Sequence, residues 1–77
     1  MIDWRERITA DPRILVGKPV IKGTRISVEL ILELLAGGWT EAEVLENYPS
    51  LVADDLRACL AYAAELVKEE RGLPVQA

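Results

Sequence analysis

The sequence predicts a mainly α-helical domain, three helices in a helix-turn-helix-like order behind a small N-terminal β element. Three observations carry that expectation. Apolar residues recur at helical spacing from Val28 onward, interrupted by Gly37-Gly38 and by Pro49. Helix-starting side chains, Ser27 and Thr40, stand immediately before two of the periodic runs. Ahead of them, residues 14–28 are rich in β-branched side chains and punctuated by Gly17, Pro19 and Gly23, which reads as short strands and turns.

Taken in order, residues 1–27 form a basic β element and lead-in. Trp4 is too large to remain fully wet and is expected as a lid, on the core or on a second subunit. Glu6 to Thr9 reads as a short strand, Ala10-Asp11-Pro12 as a turn, and Ile14-Leu15-Val16 as a second apolar strand. Val20 to Ile26 completes the β region, with Pro19 fitting a strand's first residue because it has no N–H for a ladder. Strands this short do not make a stable sheet alone, so they pair across a dimer or lie against the helices.

The three-helix body covers residues 28–71. Helix one runs from about Ser27 to Ala36. Val28, Ile31, Leu32 and Leu35 make its core stripe, and Leu30 and Leu34 a second apolar face. One of Gly37 and Gly38 is expected at the left-handed position after the helix. Helix two starts on Thr40-Glu41-Ala42-Glu43, a capping box, with Trp39 placed to staple onto Val44, and stops before Pro49. Helix three runs from about Ala53 to Glu70 with Asp54 and Asp55 in its first turn. Val52 supplies no capping oxygen, so this start relies on Ser50 or frays. Leu56, Leu60, Ala63 and Val67 are the expected buried stripe, with Cys59 and Leu66 beside it. Residues 72–77 follow as a short tail.

Composition narrows the chemistry. Seventy-seven residues make one domain, and a chain of that length buries only about 60% of its unfolded surface. With no Phe and nine Ala among its apolar residues, it is expected to gain stability as a homodimer, through Ile14, Val16, Val20, Leu30 and Leu34. One cysteine and no histidine exclude a disulfide within the chain and Cys/His metal sites, and leave Cys59 with no base to activate it. Gly17-Lys18 is not a phosphate loop, because the earlier glycine and the following Ser/Thr of that motif are missing. No catalytic residue, metal or cofactor is expected. No apolar run reaches the length of a membrane span and no signal peptide opens the chain, so the expected location is cytoplasmic.

The net charge of −4 is split between the two halves. Residues 1–27 sum to +3 and residues 28–77 to −7. Arg5, Arg7, Lys18, Lys22 and Arg25 are therefore the candidate anion- or DNA-contacting residues. Glu65, Leu66, Glu69 and Glu70, with Leu73 and Val75, are the candidate strip for a partner protein with a basic surface. If helix three were a DNA reader, Asp54 and Asp55 at its head would oppose the phosphates.

The run Gly17-Lys18-Pro19-Val20-Ile21-Lys22-Gly23-Thr24-Arg25-Ile26, followed by Val28, resembles the signature of a small bacterial and archaeal family, the domain of unknown function numbered 433. Asp11-Pro12, Gly38-Trp39-Thr40, Tyr48-Pro49-Ser50-Leu51 and the run Leu56 to Ala63 fit as well, so the likeness extends over roughly residues 6–67. Val52 departs from it, since a capping Thr or Ser belongs near that position. The resemblance implies a helix-turn-helix-like fold. It also implies, for some members, an antitoxin role in VapBC-like toxin–antitoxin pairs whose toxins are PIN-like nucleases. The expected function is thus an antitoxin-like protein that masks such a nuclease and represses its own operon. The alternatives are a standalone DNA-binding regulator and a non-enzymatic adaptor.

Overall fold

The computed structural model describes residues 2–69. Two strands, β1 (Ile8–Ala10) and β2 (Pro19–Ile21), precede three helices, α1 (Val28–Ala36), α2 (Glu41–Asn47) and α3 (Ala53–Glu69). β1 and β2 are antiparallel, with Ile8 opposite Ile21 and Ala10 opposite Pro19. Pro19 is thus the first residue of its strand, where its missing N–H breaks no ladder. After β2 the chain reverses through Lys22 to Arg25. Gly23 takes the left-handed φ of 80° that a side chain there would disfavour. The Thr24 hydroxyl donates to the Ile21 carbonyl at 2.8 Å and accepts from the Ile26 N–H at 3.0 Å, which locks the turn.

Two segments differ from the sequence reading. The chain enters through a 3₁₀ turn at Trp4–Glu6, so β1 starts two residues later than expected. Ile14-Leu15-Val16 is not a strand. The connection spends these residues on successive turns, Ile14 N–H to Asp11 O (2.8 Å), Gly17 N–H to Ile14 O (3.1 Å) and Lys18 N–H to Leu15 O (3.2 Å), to bring Pro19 opposite Ala10. Leu15 and Val16 adopt φ of 48° and 56° there. Each costs roughly 1–2 kcal/mol for a residue with a Cβ.

The helix ends follow from their sequences. Ser27 accepts from the Leu30 N–H at 3.0 Å. α1 closes with Trp39 N–H to Leu34 O (3.0 Å) and Gly38 N–H to Leu35 O (3.1 Å), and Gly38, at φ 100°, is the left-handed glycine. At α2 both halves of the capping box are present: Thr40 Oγ1 accepts from Glu43 N–H at 3.1 Å and Glu43 Oε1 from Thr40 N–H at 3.0 Å. α3 relies on neither Ser50 nor fraying. Asp55 reaches back and accepts from the Val52 N–H at 2.9 Å.

The core is the contact of Ile8 and Ile21 with Val28 and Ile31 of α1, Val44 of α2, Leu51, and Leu56, Ala58 and Cys59 of α3. α2, the connection 48–52 and α3 make the helix-turn-helix-like unit. Three corrections concern burial. Val20, expected at a subunit interface, is fully buried, because β2 pairs with β1 and is bridged through Val20 to Ser27. Leu60 and Val67, expected in the buried stripe of α3, are 51% and 70% exposed. The buried face runs through Asp55, Leu56, Ala58 and Cys59 instead, with Tyr62 packed against the core. The strands lie against α1, β2 being the one that meets the helix.

Candidate functional site

The charged half of the chain folds onto the acidic half. Arg7, at the end of the first turn, places Nη1 3.1 Å from Asp55 Oδ1 and Nη2 3.7 Å from Asp54 Oδ2. Asp55 is only 7% exposed, and its second oxygen holds the Val52 N–H. Both oxygens are therefore committed, as a buried carboxylate requires. Arg57 adds a 2.9 Å contact to Asp54.

Three residues upstream of Arg7 the same pattern repeats with an aromatic. Trp4 sits edge-on to Tyr62, ring centroids 4.8 Å apart. Its indole N–H donates to Glu65, and Arg5 pairs with the other oxygen of Glu65 at 3.0 Å while covering the Trp4 ring at 4.5 Å. The indole hydrogen bond, then the Arg5 guanidinium, hold the Glu65 carboxyl below its ordinary value. Residues 2–7 thus form a strap along one side of α3.

Of the five candidate anion-contacting residues, three are committed inside the chain: Arg5 to Glu65 and Asp3, Arg7 to Asp54 and Asp55, and Lys18 to Glu29 at 3.0 Å. Lys22 and Arg25 are exposed on the Gly23 turn and make no ion pair among the described residues. Of the partner strip, Glu65 is occupied by the strap, Leu66 is 45% exposed and Glu69 is exposed. Glu70, Leu73 and Val75 lie outside the described residues. Of the interface candidates, Val16 is 96% exposed, and Ile14, Leu30 and Leu34 are half-buried.

Two predominantly apolar surface grooves flank α3 among the described residues. One, of about 670 Å³, runs under the strap along Ile2, Trp4, Ala61 and Ala64. The other, of about 500 Å³, lies between α1 and α3. Its floor is apolar (Pro19, Val28, Leu32, Ala36, Tyr62, Leu66) and its rim is Glu29 and Glu33. Sequence reasoning missed this groove, since its two walls are 30 residues apart in the chain. It missed Asp55 as a cap for a different reason. The signal is an acid three residues after Val52, and an acid in a helix's first turn equally fits a partner for the dipole.

No cluster of carboxylates or thiols able to hold a metal occurs among the described residues. Burial, then the nearby Asp55 charge, pushes the Cys59 thiol up to about 12, far from a nucleophile's range. No helix among the described residues is long and apolar enough to cross a membrane.

Comparison with known proteins places this geometry in a family. A family model described as protein of unknown function (DUF433) matches residues 8–63. The uncharacterized protein y4eO of Sinorhizobium fredii is 41% identical over 59 residues, covering 77% of this chain and 27% of its own length. An uncharacterized protein of Archaeoglobus fulgidus is 62% identical over 24 residues, 31% of this chain and 67% of its own. The crystal structure of a DUF433 member protein from Anabaena variabilis superposes with a TM-score of 0.74 at 34% identity, over 77% of this chain and 58% of that one. The chain therefore spans about a quarter of the Sinorhizobium relative and little more than half of the Anabaena one.

Proposed function

The chain belongs to the DUF433 family, and from that premise we propose that it is a non-enzymatic, antitoxin-like cytoplasmic protein that binds and masks a PIN-like nuclease. The observation that supports this reading best is the outward apolar row on α3. Leu60 and Val67, seven residues apart on one helix face, are 51% and 70% exposed in a chain of net charge −4. An apolar row on an acidic body complements a nuclease whose nucleic-acid surface is basic, and covering that surface blocks its substrate.

DNA as the main partner has less behind it. Three of the five candidate cations are spent internally, and Asp54 and Asp55 stand at the head of the helix that would enter the groove. Lys22 and Arg25 remain, and these would supply the phosphate contacts for repression of the protein's own operon.

The test is an affinity pull-down of the tagged protein from its own cells at moderate salt, with partners identified by mass spectrometry, beside the double variant Leu60→Asp/Val67→Asp. Stoichiometric recovery of a nuclease with wild type and its loss with the variant are expected, with helical circular dichroism unchanged in both. Equal recovery with the variant, or no nuclease at all, refutes the reading. For the repression arm, charge reversal at Lys22 and Arg25 should abolish a gel shift of the upstream DNA; an unchanged shift across several salt concentrations excludes these two residues.

A further inference from the structure

We propose that the groove between α1 and α3 is a self-association surface, filled by the Leu15–Val16 turn of a second copy of this chain in a two-fold arrangement. The turn is a knob. Val16 is 96% exposed and both Leu15 and Val16 stand in the left-handed region, at φ 48° and 56°. Gly or Asn would hold the same backbone with little or no strain, so two bulky apolar side chains here are unexplained by the chain's own folding. An apolar partner surface explains them.

The groove is the matching hole. It has an apolar floor including Pro19, Leu32, Ala36 and Leu66, and a volume of about 500 Å³. Knob and hole lie side by side on the same face: Lys18, two residues beyond Val16, bonds Glu29 on the groove rim at 3.0 Å, and Pro19 lines the groove itself. A patch that carries a projection next to its complement is self-complementary under a two-fold axis, each copy giving its knob and receiving the other's.

Charge points to the same occupant. On the rim, Glu29 is already met by Lys18 of its own chain, which leaves Glu33, while on the turn Arg13 pairs with Asp11 but keeps its side chain 88% exposed. Glu33 makes no ion pair among the described residues. A second copy's turn brings the exposed Arg13 towards this unpaired acid, since a surface pair such as Arg13–Asp11 exchanges partners at little cost; a partner with an acidic or neutral contact would not. The surface is separate from the Leu60–Val67 row, so its failure and the failure of nuclease binding are independent.

The experiment is sedimentation velocity of the full chain over a wide concentration range, for wild type, Val16→Asp and Leu66→Asp. Wild type is expected to dimerise, and each variant to weaken the dimer by roughly tenfold or more. Val16 makes no internal packing contact to lose, so Val16→Asp should keep the wild-type thermal midpoint when measured at monomer concentrations. A wild type that stays monomeric at every concentration overturns the proposal. So does a dimer whose dissociation constant Val16→Asp leaves unchanged, which would place the interface elsewhere or leave the groove to a different protein.

Discussion

α2 and α3 begin in contrasting ways. α2 is closed by a cap whose two members, Thr40 and Glu43, lie three residues apart and need nothing else from the chain. α3 begins behind an apolar residue, Val52, and its cap comes from inside the helix. The same Asp55 carboxylate that bonds the Val52 N–H also receives Arg7, 48 residues earlier. The first start is local and exposed, the second long-range and buried. One consequence is that the beginning of α3 cannot be disturbed without loosening the N-terminal strap, whereas α2 can fray alone.

Variants at the two starts can break that contrast or sharpen it. The largest effect is expected for Asp55→Ala, which strips the cap and leaves Arg7 without its principal partner. We expect about 2–3 kcal/mol of destabilisation by urea unfolding, below the full range for a broken buried pair because Arg7 remains partly in water. Asp55→Asn keeps an acceptor for Val52 but not the charge, so it should lose less; equal losses would mean that the cap is unimportant. Thr40→Ala should cost about 1 kcal/mol, with no change in the protection of residues 2–7 from proteolysis. If that protection falls, α2 is not the independent unit described.

The smallest effect is a pH dependence. Glu65 is held below its ordinary 4.5 in the folded state by Trp4 and then Arg5. A depressed carboxylate adds stability that is present above 4.5 and disappears as pH falls through its lower folded value. Between neutral pH and the acid limb, Glu65→Gln should therefore show a shallower fall in thermal midpoint than wild type. Identical slopes would remove Glu65 from the strap.

The same contrast explains how far the sequence could be read. Ser27, the Thr40–Glu43 box and the double glycine were legible because each acts within four residues. The three-helix order, Pro19 at the start of a strand and Cys59 as a core residue were legible for the same reason. The charge halves were visible too, but not their mutual cancellation. Arg5 and Arg7 find Glu65 and Asp55 only after the fold has brought residues 60 and 48 positions apart together. On α3 the spacing fits two apolar faces, and within the chain only one of them meets the core, so spacing alone places Leu60 and Val67 on the wrong side. Ile14 to Val16 looked like a strand because β-branching reports side-chain preference, while the connection between β1 and β2 is set by how far the chain must travel.

Cys59 has a practical consequence. It is the chain's one thiol, fully buried midway along α3 and raised to about 12. A thiol-reactive reagent can modify it only when the helix lifts from the core, so the labelling rate under native conditions is a clock for that opening. No engineered probe is required, and the same clock, read in Asp55→Ala and in Thr40→Ala, would time how each helix start governs the motion.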